Sequence, residues 1–209
     1  NNLVDQTPAL PNRSVAFRLV ADALHSGDFP APAAIGHRVV CGGPTVQDNQ
    51  RITPELIDEI ERYTDFAPLH TPIAVYIMRE ALRLFPDVPN FAILDTYFHR
   101  TMPEVVTHMP IPEEYSAMGV RRYGYHGISY ESIVYQLQPN VPGKLIVAHL
   151  GNGASITAIC NGECLDTSMG LTPTGGIISG TRTGDIDPGI LLFILRKIAE
   201  TATSASEAA

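Results

Sequence analysis

The sequence predicts an α/β protein, and two patterns carry that expectation. Short apolar runs that read as strands (34–41, 90–94 and 144–148) alternate with segments whose apolar residues recur at helical spacing. Residue types suited to chemistry also fall at the ends of those runs. Arg38 precedes a Gly-Gly turn, Asp95 ends one strand and His149 ends another. Open α/β sheets bind ligands at such strand ends.

Each element has a local reason. Residues 15–25 place Ala16, Leu19, Val20, Ala23 and Leu24 on one helical face, with Arg18 and Asp22 off it and Ser14 as cap. Phe29-Pro30-Ala31-Pro32 ends that helix and makes a linker. The strand over 34–41 runs into Gly42-Gly43. Thr53 caps the next helix, Pro54 occupies its first position, and Leu56, Ile57 and Ile60 form its apolar face. Pro72 starts a helix that runs to about Leu84. A buried strand over 90–94 stops at Asp95, a helix spans Gly127–Leu137, and a second buried strand covers 144–148. Residues 155–160 and 163–166 pair as a hairpin about Asn161-Gly162, a strong turn signal. Asp187-Pro188 opens a last helix through Ile198, and a small, polar tail follows over 201–209. No repeat at about 20 to 50 residues is visible.

Bulk composition narrows the function classes. The 209 residues carry a net charge of −8 with no basic cluster to offset it, which argues against a nucleic-acid surface. A hydrophobic share of 44% supports an ordinary core. No run reaches the ~18 apolar residues of a membrane span, and no signal peptide opens the chain. Cys41, Cys160 and Cys164 are an odd set without zinc-ribbon spacing, read as reduced thiols of a cytoplasmic protein. The opening Asn1-Asn2-Leu3-Val4 has neither Met nor a charged lead-in, so the chain is expected to begin partway into a longer protein.

Several residues could do chemistry. In His149-Leu150-Gly151-Asn152-Gly153, two glycines let the backbone approach a ligand and aim N–H groups at phosphate oxygens, although an ordinary hairpin turn has the same composition. Asp95 could hold Mg²⁺ or orient a nucleophile, or cap a helix. His126 lies between Gly124-Tyr125 and Gly127 and could stabilise a transferring phosphoryl group, or simply start a helix. Arg182, flanked by Gly180 and Gly184, could grip a carboxylate or phosphate, or pair with Asp185 or Asp187. Arg38 stands within an apolar strand, where a cation is costly unless paired, so a bound anion, or an Asp or Glu of the chain itself, is its expected partner. Together these suit phosphoryl transfer, which needs positioning and charge neutralisation above all. His-x-x-x-His metal spacing and the Gly-x-Ser-x-Gly hydrolase elbow are both absent.

Longer motifs add a resemblance. Gly36-His37-Arg38-Val39-Val40-Cys41-Gly42-Gly43, Ala67-Pro68-Leu69-His70 and residues 95–103 resemble acetate kinase motifs, as do 121–129, 149–155, 166–170 and 180–188, in the family's order. The resemblance implies an RNase H-like, actin-like ATPase fold of two lobes with a cleft, here incomplete at both ends. Residues 1–98 would belong to the first lobe and 99–209 to the second. It implies ATP, Mg²⁺ and acetate or acetyl phosphate as ligands, and a cytoplasmic homodimer. Arg38 and Arg182 would bind the carboxylate and the phosphoryl group. Asp95 would be the essential acid near the metal or the attacking oxygen, and His126 would stabilise the transition state. His70 and His149 would line the phosphate path, His149, Leu150, Gly151, Asn152 and Gly153 would form the ATP-phosphate loop, and Val40, Leu69, Tyr125 and Pro173 would shape the acid's methyl pocket. Three residues depart from the pattern: Cys41 and Tyr130 stand where His is common, and Tyr125 where Phe is usual, adding a hydroxyl to the pocket. The family's opening Asn-Ala-Gly-Ser-Ser-Ser-like loop and its adenosine-binding part have no counterpart in the sequence. An inactive fragment is therefore expected, with a propionate or butyrate kinase, or a non-catalytic binding protein of the same fold, as alternatives.

Overall fold

The computed structural model describes residues 13–27 and 29–207, in two compact units that divide between Leu94 and Asp95. The opening residues, from which a start partway into a longer protein is expected, and the tail's last two residues lie outside the described ones.

The first unit holds a three-stranded sheet in the order β1-β3-β2. β1 (Ile35–Val39) lies parallel to β3 (Asn90–Leu94), from Ile35↔Asn90 to Val39↔Leu94. The short β2 (Gln50–Arg51), not visible in the sequence pattern, pairs antiparallel with β3. Three helices accompany the sheet: α1 (Arg13–His25), α2 (Pro54–Arg62) and α3 (Thr71–Leu84). α2 starts where expected. The Leu56 N–H donates to Thr53 Oγ1 at 3.2 Å, and Ile57 and Ile60 are buried. Two expectations change in α1. Its helix already includes Ser14, so Ser14 is no cap, and Val20 is 57% exposed while Ala21 is buried. The inward stripe passes through Ala21, one helical step of about 100° from Val20.

The second unit is an antiparallel meander, β4 (Lys144–Leu150), β5 (Ala154–Cys160) and β6 (Glu163–Thr167), with helix α6 (Gly127–Leu137) against one face. The β5–β6 turn is the expected hairpin, with Asn161 at φ 50° and Gly162 at φ 89°. Two short helices, α4 (Glu104–Thr107) and α5 (Glu113–Ala117), lie between β3 and α6 in the chain. Phe98, Met102, Tyr130, Val134, Ile159 and Cys164 form the core, with Leu145 and Val147 of β4 packed on it. β4 is not the buried strand its apolar sequence implied. Leu145, Val147 and His149 face inward, whereas Ile146 and Leu150 are 75% and 77% exposed, because β4 is an edge strand covered on one face. α7 (Pro188–Glu207) runs beyond Ile198, since neither Gly nor Pro follows Gly189 to stop it. It leaves Ile190, Leu192, Phe193 and Leu195 exposed. No described helix is long and apolar enough to cross a membrane.

His99 ties this core together. Its ring is fully buried in the 3-10 turn Tyr97–Thr101, with Nε2 2.9 Å from the Tyr125 carbonyl and Nδ1 3.1 Å from Cys164 Sγ. A carbonyl only accepts, so Nε2 carries the proton and the Cys164 thiol donates to Nδ1. Burial holds His99 down to about 4 and pushes the Cys164 thiol up to about 12. The unfolded chain therefore binds more protons at this site between its ordinary value near 6.5 and about 4. Stability should be undiminished by His99 above that window and fall across it as pH drops, by on the order of 3 kcal/mol at the bottom. Urea unfolding from pH 7 to 4 should show this slope, and His99→Gln should flatten it relative to the parent.

Candidate active site

The site grows from a strained turn. The chain from Tyr123 to Gly127 passes between β6 and the 97–101 turn, so tightly that a Cβ on Gly124 would sit 2.6 Å from Thr167 Cγ2 and 2.7 Å from the His99 ring. Gly124 takes φ +72°, and His126, a non-glycine, takes φ 63° and ψ 22° at the start of α6. The left-handed conformation costs such a residue roughly 1–2 kcal/mol. Asp95 offsets it. Its Oδ2 accepts the His126 N–H at 3.0 Å, and its main-chain carbonyl accepts the Gly127 N–H at 2.7 Å. Gly127 must be glycine, since its Cβ would lie 2.4 Å from the Asp95 carbonyl oxygen. Asp95 is 2% exposed, and its carboxylate caps the positive end of α6.

The β4–β5 hairpin supplies the second half. Its register sets His149 opposite Ser155, and alternation turns both toward α6. His126 Nδ1 lies 2.8 Å from Ser155 Oγ, and His149 Nδ1 lies 3.0 Å from Ser129 Oγ. The two imidazoles stack, with centroids 4.0 Å apart and planes 19° apart. Both Nε2 atoms then face the Gly151-Asn152-Gly153 loop. A Cβ on Gly151 would stand 3.3 Å from His149 Nε2, and one on Gly153 3.2 Å from His126 Nε2. Gly-Asn-Gly is thus a hairpin turn, closed by Gly151 N–H to the Gly153 carbonyl at 3.2 Å, and is also the floor under both rings.

Arg182 reaches the same place. The position a Gly153 Cβ would take is 2.7 Å from Arg182 Nη1, so the guanidinium and His126 Nε2 converge over one glycine. The fork is aimed by Nη1 donating to the Pro173 carbonyl at 2.7 Å. Its segment folds back on itself, with the Ser179 N–H on the Arg182 carbonyl and the Gly176 N–H on Asp185 Oδ1. Asp187 Oδ1 likewise accepts a main-chain N–H, from Gly189. The pairing of Arg182 with Asp185 or Asp187 that the spacing allowed is replaced by these main-chain bonds.

The second unit therefore brings together Asp95, His126, His149, Gly151, Asn152, Gly153, Pro173 and Arg182. Leu150 points out to solvent beside them. Tyr125 is fully buried, and its hydroxyl, expected to add polarity to an acid pocket, donates to the Leu171 carbonyl. The other candidates belong to the first unit. Arg38 is exposed: β1 turns His37 and Val39 inward and Arg38 outward, so the burial cost that demanded an anionic partner does not arise. His37 is the buried polar residue of that strand, bonded through Nε2 to Asn90 Oδ1 at 2.7 Å. Val40 is buried, Leu69 is 79% exposed, and His70 occupies the N-cap position of α3. The sequence reading missed Ser129 and Ser155 as site residues and treated Tyr130 only as a departure. The signal was present in the inward phase of 155, 157 and 159 along β5, and in the 126, 129, 130 spacing of one helix face.

Among the described residues no three His, Cys, Asp or Glu side chains gather as a metal cage. Magnesium bound with phosphates needs only one or two carboxylates, so the absence of a cage among the described residues does not bear on it.

Known proteins resemble this chain in sequence and fold. The acetokinase family pattern matches residues 4–208. The chain belongs to the acetokinase family. It is 45% identical over 200 residues to an acetate kinase of Agathobacter rectalis, which covers 90% of this chain and 50% of that protein. It is 39% identical over 214 residues to an acetate kinase of a Geobacillus species, covering 98% and 54%. Among solved structures it superposes on a propionate kinase from Francisella tularensis with a TM-score of 0.84 at 37% identity, covering 93% of this chain and 52% of that one. An acetate kinase from Entamoeba histolytica gives 0.84 at 31% identity, with 92% and 50% covered. The expected fold class is borne out: the chain carries part of the actin-like ATPase fold of these kinases and spans about half their length.

The Asp95–His126–Gly127 turn makes a direct prediction. Gly127→Ala drives a methyl into the Asp95 carbonyl and should cost about 1–3 kcal/mol of stability in urea unfolding. Gly170→Ala, whose Cβ meets only Met109 Cε at 3.9 Å, should serve as the mild control.

Proposed function

We propose that this chain carries the phosphoryl-transfer site of an acetate kinase, which moves the γ-phosphoryl group of ATP reversibly to acetate and yields acetyl phosphate and ADP. The observation that carries the reading is the convergence of the Arg182 guanidinium and His126 Nε2 over Gly153, where no side chain intervenes. In the forward direction an acetate oxygen forms a bond to the γ-phosphorus as the bond to the ADP oxygen breaks. Charge accumulates on the three equatorial oxygens, and a planar cation beside an imidazole N–H is suited to receive it. The Gly151-Asn152-Gly153 floor lets phosphate oxygens approach main chain as closely as contact radii allow. Asp95 would be the carboxylate that holds Mg²⁺, and the ion, when bound, neutralises phosphoryl charge. His149 would extend the phosphate path. Arg38 and His70 would hold the acid and phosphate ends, and Val40, Leu69, Tyr125 and Pro173 would shape the methyl pocket. The exposure of Arg38 suits a ligand-facing role in this reading.

Residues 1–98 and 99–209 would be parts of two lobes of a cytoplasmic homodimer. The 209 residues alone would bind ATP poorly and not turn over, since they span half the length of the relatives. A second reading, propionate kinase, is favoured by the likeness to the Francisella tularensis structure. One methylene in an apolar pocket is worth only about 1–3 kcal/mol, so initial rates with C2, C3 and C4 acids decide between them. A non-catalytic binding protein would have no use for Arg38, Asp95, His126 and Arg182 together.

In a full-length protein carrying these residues, Asp95→Asn should lower kcat by about 10²-fold or more. Thermal stability should hold, because the amide oxygen can still accept the His126 N–H. Undiminished turnover would remove Asp95 from the site. Arg182→Ala should lower kcat by about 10³-fold with a smaller change in KM for the acid. A change confined to KM would make Arg182 a ground-state binder.

A further inference from the structure

Ser155 Oγ has two hydrogen-bond partners among the described residues, the Tyr130 hydroxyl and His126 Nδ1. The direction of both bonds is forced. Tyr130 is fully buried, and its hydroxyl has one proton and one partner, Ser155. An unbonded buried donor costs about 1–3 kcal/mol, so Tyr130 donates and Ser155 accepts. Ser155 is also fully buried and has one proton of its own. The acceptor left to it is His126 Nδ1, 2.8 Å away. A neutral imidazole has one bare nitrogen and one N–H. Nδ1 is therefore the bare nitrogen, and the ring proton sits on Nε2. Were Nδ1 protonated, Ser155 would face two donors, and its own buried proton would have no acceptor.

The neighbouring imidazole lacks this constraint. Ser129, which faces His149 Nδ1, is only half-buried and can exchange its bond with water. Other groups around His126 include the stacked His149, the Arg182 guanidinium near Nε2 and the Asp95 carboxylate on the His126 main chain. The hydroxyl relay is what distinguishes the two nitrogens.

We propose that Tyr130 and Ser155 are positioning residues that hold His126 in its Nε2–H tautomer, so that it meets the transferring group at Gly153 as a neutral hydrogen-bond donor beside Arg182. The tautomer stands on the hydrogen-bond geometry alone, and only its catalytic use rests on the kinase reading. Tyr130 and Ser155 are both fully buried, so both act through the ring.

The test is a long-range ¹H–¹⁵N correlation spectrum of the ¹⁵N-histidine-labelled full-length protein at neutral pH. His126 signals are identified by their loss in His126→Gln. The expected parent spectrum shows a bare Nδ1 and a protonated Nε2. Ser155→Ala should turn this into a mixture of tautomers, and Tyr130→Phe should do so to a lesser degree. A parent spectrum with the proton on Nδ1, or on both nitrogens, overturns the proposal whether or not the variants fold. An unchanged tautomer in both variants overturns it as well. In turnover, Ser155→Ala should lower kcat by about tenfold or more while KM stays within about twofold, because a wrong tautomer damages the transition state. Unchanged kcat with an altered tautomer overturns the positioning role. The expected tautomer in a parent protein without kinase activity would uphold the relay and sink the kinase reading instead.

Discussion

Asp95 holds the turn at His126 twice, with its carboxylate on the His126 N–H and its carbonyl on the Gly127 N–H. That double hold offsets the cost of a histidine in the left-handed region, about 1–2 kcal/mol. The direction of α6 and the aim of the imidazole both follow from it. The N-terminal end of α6 helps a carboxylate that is 2% exposed, with the His126 N–H and a favourable dipole. The strained turn and the bonds that hold it together fix the direction of the His126 main chain.

The second fixed frame is the β4–β5 hairpin. Its register pairs His149 with Ser155, and its inward phase presents both to Ser129, Tyr130 and His126 of the facing helix. Stacking brings the two rings to 4.0 Å, and the glycines of the turn keep the space before their Nε2 atoms clear. Rigid elements thereby set the ring positions, while a loop closed by main-chain bonds delivers Arg182. Holding reactive groups on such elements is how a site keeps the sub-ångström tolerances that transfer chemistry needs.

Charge shows why local geometry matters more than totals. The chain carries −8 overall, yet its site places the Arg182 guanidinium, two imidazoles and the main chain of a glycine turn beside the single Asp95 carboxylate. At contact distance a guanidinium outweighs charges spread over a distant acidic surface, because separation dominates the Coulomb energy. The exposed Arg38 is consistent with the same logic in the first unit, where the outward phase of β1 leaves it turned toward solvent.

Much of the fold was legible from the residues alone. The Thr53-Pro54 start of α2, the Asn161-Gly162 hairpin, the strand ending at Asp95 and the full span of α6 are local effects, written in caps, turn chemistry and periodicity. Long motifs also exposed the family and most of the candidate residues. What local patterns cannot supply is phase and partnership. An apolar run does not say which alternate residues face inward, so Arg38 was read as buried and β4 as covered on both faces. Nor does any spacing connect Asp95 to His126, or Tyr130 to Ser155 and Ser155 to His126, across separations of 31, 25 and 29 residues. The sequence by itself determined where most of the longer elements form, because propensity, capping and turn preferences act over a few neighbouring residues. Only the tertiary structure decided which nitrogen meets which hydroxyl, because that depends on strand register and helix packing, which are properties of the assembled chain.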